Sequence, residues 1–217
     1  MNIPNASQNS NQSNCSLIIE SLQCIRDDRV LFNDLNFTLK AGQLLQIEGR
    51  NGSGKTSLLR ILCGLTLPTE GIVYWQNQDI QEIQSSYWAT LAYLGHANGV
   101  KAELTPLENL AMARALAAAS TAVDLANALE QVGLYGFEDV PTRTLSAGQQ
   151  RRVALARLLV TSAPLWILDE PFTALDKAAI VMIEGWIDDH VKRGGMVILT
   201  SHHTVNCQNA IFLQLST

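Results

Sequence analysis

The sequence predicts an α/β protein: a mostly parallel sheet with helices on both faces, an antiparallel β edge and an inserted α-helical lobe. Three observations lead there. The run Leu165-Trp166-Ile167-Leu168 is too uniformly apolar for a half-exposed strand and suits the centre of a parallel sheet. The run Leu44-Leu45-Gln46-Ile47 passes through a glycine-rich turn directly into a helical pattern, Ser57 to Cys63, with Gly64 as its stop. Between these two strands, from about Gln81 to Val160, the patterns turn largely helical and rich in Ala and Leu.

Taken in order, residues 1–14 are rich in Asn, Ser and Gln and almost free of apolar side chains, which predicts a disordered tail. From Leu17 to Ile47, short apolar runs are separated by Arg26-Asp27-Asp28-Arg29, by Asn33-Asp34 and by Ala41-Gly42. That spacing predicts strands joined by tight turns. A further strand is expected around Gly71 to Trp75. Within the helical block, Thr105-Pro106-Leu107-Glu108 forms a capping box with proline at the first helical position, opening a helix that runs through Ala111 to about Ala119.

Residues Gly49, Arg50, Asn51, Gly52, Ser53, Gly54, Lys55 and Thr56 fill every fixed position of the phosphate-cradling pattern G-x-x-x-x-G-K-[ST], with Ser57 following. The glycines let the backbone wind closely around an anion. Lys55 supplies a point charge for the terminal phosphates, and the Thr56 hydroxyl suits Mg²⁺. The helix that follows would direct its N-terminus at the phosphates. The expected core is therefore that of a P-loop NTPase, and the expected ligand a nucleoside triphosphate.

Two acids, Asp169 and Glu170, close the central apolar run. Ligands collect at the carboxyl ends of strands in open α/β sheets, so Asp169 is expected near the P-loop, where it could hold Mg²⁺. Glu170 is the candidate base for the water that attacks the γ-phosphate. Read alone, the pair could equally solvate the end of a strand; the P-loop decides between the two readings.

Leu145-Ser146-Ala147-Gly148-Gln149 reads first as a helix start, with Ser146 as N-cap and Gln149 completing the box. That reading leaves Gly148 unexplained. Glycine in a first turn costs about 1 kcal/mol relative to alanine but permits a close approach of backbone to an anion. A second phosphate-facing helix end is the alternative.

With 15 basic and 20 acidic residues, a net charge of −5 and no Lys/Arg block, the 217-residue chain shows no large electrostatic footprint for nucleic acid. Its four cysteines are too far apart for a C-x-x-C motif, and two fall in apparently buried segments, which predicts a reduced cytosolic setting. No stretch approaches the roughly 20 apolar residues of a membrane span, and no basic region precedes an apolar one at the N-terminus. The chain is expected neither to cross a membrane nor to be secreted.

From Leu17 onward the chain resembles the ATP-binding-cassette (ABC) ATPases. L-S-A-G-Q matches the family's signature, Thr173-Ala174-Leu175-Asp176 its D-loop, and His202, after Met196 to Thr200, its switch histidine. The resemblance implies one ATPase domain over 15–217, with a core lobe (15–95 and 161–217) and a helical lobe (about 96–160). It also implies ATP and Mg²⁺ as ligands and a head-to-tail dimer. There the P-loop of one copy and Ser146, Gly148 and Gln149 of the second copy sandwich the same ATP. Between the adjacent histidines, the family pattern selects His202 for the γ-phosphate and leaves His203 as a surface or capping residue.

Two positions depart from the family pattern. His96 stands where most members carry a glutamine linking metal, water and helical lobe; an imidazole can relay a hydrogen bond but is shorter and titrates near neutral pH. Arg26 falls where many members stack an aromatic ring on adenine. It reads either as a guanidinium stacked on the base or as a solvated turn charge.

The segments Leu94 to Leu110, Leu145 to Leu158 and Pro164 to Asp176 are similar to the ATPase subunits of bacterial cytochrome c maturation systems, the haem exporters. That likeness implies a peripheral subunit on the cytoplasmic face of the inner membrane, docked on integral membrane permease subunits through the segment from His96 to Leu110. Trp88, Tyr93 and Val100 are read there mainly as core. No C-x-x-C-H is present, and no direct haem binding is expected. The rivals are an ATPase subunit of another importer or exporter, and a soluble cassette acting on nucleic acid or ribosomes. The second would need a coiled-coil insertion, tandem cassettes or basic tails, which this chain lacks. Lys55, Asp169, Glu170 and His202 together argue against a non-hydrolysing nucleotide-binding module.

Overall fold

A computed structural model describes residues 16–117, 121–207 and 209–215. The tail read over residues 1–14 lies outside these, as do positions 118 and 119 of the predicted helix end.

Strands β1 (Ser16–Arg26) and β2 (Arg29–Lys40) form an antiparallel hairpin. Asp27 and Asp28 make its turn at φ 50° and 60°, the paired left-handed geometry whose twist matches that of the strands. The Asn33-Asp34 break does not separate two strands. Asp34 adopts φ 49° within β2, the pairing shifts register there, and Asn36 donates to both the carbonyl and the carboxylate of Asp34 at 2.9 and 2.8 Å. Polar residues that tolerate the left-handed region can mark a bulge as well as a turn.

β3 (Leu44–Glu48) leads through the glycine-rich loop into α1 (Lys55–Leu62). β4 (Glu70–Trp75) returns to pair with β1, and the short β5 (Gln78–Asp79) extends that sheet to the order β2-β1-β4-β5. After α2 (Gln84–Trp88) comes β6 (Leu91–Leu94), a strand hidden from sequence reading by its shortness beside the Ala/Leu-rich block. Helices α3 (Pro106–Leu116), α4 (Leu125–Gln131) and α5 (Ala147–Val160) follow, then β7 (Leu165–Asp169), α6 (Lys177–Lys192), β8 (Met196–Thr200) and β9 (Ala210–Gln214). The second sheet has the order β6-β7-β8-β3-β9 and is parallel throughout. The capping box predicted for α3 is present, with Thr105 and Glu108 bonding reciprocally at 3.2 and 2.8 Å.

The period-two alternation of β7 separates two cores. Leu165 and Ile167 face one, with α1, Tyr87 and the antiparallel sheet; Trp166 and Leu168 face the other, with α5 and α6. A third core joins α3, α4 and α5 around Leu110, Leu129, Val132 and Val153. Helix α5 serves both of the last two: Ala154, Leu155 and Leu158 pack toward β7, while Val153, Ala156 and Val160 pack toward α4. Tyr93 and Val100 are half-buried and pack against the cores, as expected for most of these three, whereas Trp88 is 45% exposed.

Candidate active site

The parallel strands β3, β7 and β8 deliver their carboxyl ends to one cleft of about 520 Å³. It is lined by Asn51, Gly52, Gly54, Lys55, Thr56, Ser57, His96, Asp169, Glu170, Thr173 and His202, with Leu31 from β2. Of the predicted residues, Asn51, Gly52, Gly54, Lys55, Thr56, Ser57, both acids, His96 and His202 therefore come together, while Gly49, Arg50 and Ser53 belong to the same loop without lining the cleft. Ser146, Gly148 and Gln149 do not line this cleft.

The loop needs its glycines. Gly52 and Gly54 adopt φ 80° and 96°, and a Cβ on Gly49 would stand 2.5 Å from Ser53 Oγ and 2.8 Å from the Leu215 carbonyl. Gly54 caps α1 without a side-chain bond, so the first amides of the helix keep their donors for a ligand. Lys55 Nζ donates to the carbonyls of Gly49 at 2.6 Å and Arg50 at 3.2 Å, which holds the ammonium over the loop. Ser53 Oγ is buried without a partner among the described residues. The loop thus has the backbone turn, charge and free donors that a polyphosphate requires.

Asp169 is 2% exposed, and both its oxygens are engaged. Thr56 Oγ1 donates to Oδ2 at 2.9 Å, and Thr200 Oγ1 donates to Oδ1 at 2.7 Å. Thr56 and Asp169 therefore present hard oxygens side by side, the donor set that Mg²⁺ favours with its remaining positions filled by phosphate and water. Among the described residues no cluster of three or more His, Cys, Asp or Glu offers a competing metal site.

Glu170 follows at φ 47°, a left-handed conformation in a non-glycine residue, and its amide donates to Thr200 Oγ1 at 2.9 Å. His202 Nε2 lies 3.7 Å from Glu170 Oε1, and its side chain is 69% exposed. His203 turns elsewhere: Nε2 is 2.9 Å from Glu184 Oε1, and its ring meets Phe172 edge-on. The buried Gln46 ties this loop to β3, donating to the His203 carbonyl at 3.2 Å and accepting from the Val205 amide at 3.1 Å. Arg26 donates to the Leu67 carbonyl at 3.2 Å.

At the start of α5, Ser146 and Gln149 bond reciprocally at 3.2 and 2.9 Å, completing the predicted capping box. The close approach that Gly148 permits is to protein: a Cβ there would stand 2.9 Å from the Ala174 carbonyl. Ala174 itself has φ 63°.

Sequence reading missed Arg151, Thr200 and Gln46. Arg151 is 4% exposed and donates to the carbonyls of Asp169, Glu170, Pro171 and Gly95 and to Asn98 Oδ1. Burial lowers its pKa, with the carboxylates of Asp169 and Glu170 acting in the opposite direction. Its spacing was a usable signal, because Arg151 precedes Ala154, Leu155 and Leu158 by three, four and seven positions and so shares their buried face.

A larger crevice of about 640 Å³ opens at the other end of β7, lined in part by Thr161, Trp166, His190 and Arg193. The ring of His190 stacks on Trp166 at 3.9 Å, and burial pushes the His190 pKa down to about 4. None of the predicted site residues lines this crevice.

A family model described as "ABC transporter" matches residues 32–173. The protein named cytochrome c biogenesis ATP-binding export protein CcmA from Methylococcus capsulatus is 54% identical over 197 residues, covering 89% of this chain and 94% of the relative. Its namesake from Nitrosococcus oceani is 49% identical over 205 residues, covering 94% of each. A solved dimer of an ATP-binding cassette in a post-hydrolysis state, bound to ADP and Pi, superposes with a TM-score of 0.79 at 22% identity, covering 93% of this chain and 97% of that one. This last likeness concerns the fold.

Proposed function

We infer that this chain, which belongs to the ABC transporter family, is the ATP-hydrolysing subunit of a cytochrome c maturation export complex. The observation that carries the reading is the convergence of P-loop, Asp169, Glu170 and His202 on one cleft, in a chain 54% identical to a named cytochrome c biogenesis ATP-binding export protein.

The α1 N-terminus and the loop amides would bind the β- and γ-phosphates of ATP, with Lys55 supplying the positive charge. Thr56 and Asp169 would hold Mg²⁺, whose chemistry there is to neutralise charge on the phosphate oxygens. Glu170 would orient the attacking water and accept its proton. His202, 3.7 Å from that carboxylate, would bridge water and γ-phosphate by hydrogen bonds. His96, at the mouth of the same cleft, would relay the state of the phosphates to the helical lobe.

A complete pocket in this reading needs two copies. Ser146, Gly148 and Gln149 of the second copy close over the phosphates bound by the first, and hydrolysis followed by phosphate release removes the attraction that holds them together. Permease subunits in the membrane would dock near the segment from His96 to Leu110 and convert that closure into export. The subunit would then sit on the cytoplasmic face of the bacterial inner membrane. No helix among the described residues is long and apolar enough to cross a membrane. Haem, or a haem-loaded chaperone, is the proposed cargo and would be handled by the partners.

The experiment is to purify a Glu170→Gln variant with its membrane partners. ATP binding is expected to persist, hydrolysis to be lost and the closed dimer to accumulate. Wild-type turnover would overturn the role given to Glu170, and co-purification of partners unrelated to cytochrome c maturation would overturn the cargo.

A further inference from the structure

The geometry points to Arg151 as the positioning residue that couples the first turn of α5 to the conformation of Glu170. This inference rests on the reading of Glu170 as the base.

All the donors of one guanidinium are spent on two segments. Nε and Nη2 reach three consecutive carbonyls, Pro171 at 3.4 Å, Asp169 at 2.9 Å and Glu170 at 2.7 Å. Nη1 reaches Gly95 O at 3.0 Å and Asn98 Oδ1 at 3.1 Å, bracketing His96. The planar fork fixes directions as well as distances.

Stability gives a poor account of this side chain. At 4% exposure the cation has lost its water, its hydrogen-bond partners are neutral oxygens, and among the described residues no carboxylate pairs with it within salt-bridge distance. Burying a charge in that way costs free energy that an apolar side chain on the same helical face would not incur. What the guanidinium supplies is geometry. Glu170 sits at φ 47°, a conformation that persists only where its surroundings over-determine it. Three contacts do so: Thr200 Oγ1 on the amide and, on the carbonyl, Arg151 at 2.7 Å and the longer Thr173 amide at 3.3 Å.

Arg151 lies two residues beyond Gln149, so any displacement of the α5 N-terminus moves the guanidinium with it. Closure over a nucleotide would thereby re-aim the Glu170 peptide and the His96 turn together. The neighbouring Arg152 extends the same grip to Asp176, at 2.7 Å.

The test is a double-mutant cycle on the full chain purified with its membrane partners. Single-turnover ATP hydrolysis is compared in wild type, Arg151→Gln, Glu170→Gln and the double variant. Misplacing a catalytic group by about 1 Å costs about 10²-fold. Arg151→Gln is therefore expected to lower kcat by about 10²-fold while KM for ATP moves far less. If Arg151 acts through Glu170, the double variant is no slower than Glu170→Gln alone. A loss that multiplies with that of Glu170→Gln, or an unchanged kcat in Arg151→Gln, overturns the proposal. Wild-type turnover in Glu170→Gln overturns the base reading instead, whatever Arg151→Gln does.

Two further variants cover a folding failure of Arg151→Gln. Arg151→Lys keeps the charge but not the fork and is expected to stay slow; full recovery of kcat would overturn the proposal. Asn98→Ala removes the side-chain acceptor that Nη1 reaches and is expected to cost about 5-fold in kcat, the worth of about one hydrogen bond, again without effect in the Glu170→Gln background. A wild-type rate in Asn98→Ala would count against it equally.

Discussion

Thr56 Oγ1 donates to Asp169 Oδ2 across 2.9 Å, joining the first turn of α1 to the end of β7 over 113 positions of sequence. Neither group is free to turn away, because the other Asp169 oxygen is held by Thr200. The pair is held in place by the protein's own hydrogen bonds. ATP with Mg²⁺ at about 100 times its Kd is expected to stabilise the wild type by about 2.7 kcal/mol. In Thr56→Val most of the increment that Mg²⁺ adds to ATP alone should vanish. Thermal unfolding with ATP, with and without Mg²⁺, measures it, and an undiminished increment would remove Thr56 from the metal site.

Gln46→Leu leaves the buried Val205 amide and the part-buried His203 carbonyl without their partner. Stability should fall by about 1–3 kcal/mol in denaturant titration. Because the loosened loop carries His202, kcat should fall more than ATP affinity. An equal loss in both would place Gln46 in general support of the fold.

Gly148→Ala drives a methyl group to within 2.9 Å of the Ala174 carbonyl, closer than real Cβ contacts come, so the start of α5 or the Ala174 turn must shift. ATP binding to a single copy should survive, while nucleotide-dependent dimerisation and turnover should fall together. Sedimentation of the Glu170→Gln and Gly148→Ala/Glu170→Gln chains with ATP separates the two steps. Full dimerisation of the double variant would deny Gly148 a role in closure.

His190 makes stability depend on pH. Burial lowers its folded pKa to about 4 from an ordinary 6.5, so between these values the unfolded chain binds the proton that the folded chain refuses. The contribution is fully present above pH 6.5 and is lost as pH falls toward 4, with a slope of at most about 1.4 kcal/mol per pH unit. His190→Phe, which keeps a ring on Trp166, should flatten the denaturation midpoint over that window. An unchanged slope would show that the histidine does not titrate on unfolding as proposed.

The parts of the site legible in sequence were contiguous. The loop from Gly49 to Thr56 and the Leu165 to Glu170 run each carry their chemistry within a few residues and end on a strand. The illegible parts are contacts at a distance. Gln46 reaches 159 positions to Val205, and Arg151 reaches 56 back to Gly95, so local patterns reveal at most that Arg151 shares a buried face. Asn33-Asp34 misleads for a related reason: bulges and turns use the same left-handed backbone, and only strand pairing separates them. Gly148 shows a further limit, since its nearest neighbour comes from a turn 26 positions downstream.

Helix α5 carries the final consequence. Its apolar side chains are divided between two cores, with Ala154, Leu155 and Leu158 in one and Val153, Ala156 and Val160 in the other. If the lobe of α3 and α4 swings against the sheet, α5 cannot follow both. It must slip along one set of three, and close-packed side chains slip between discrete registers rather than yielding by degrees. Such a joint behaves as a click-stop, so export driven through it would advance in definite steps.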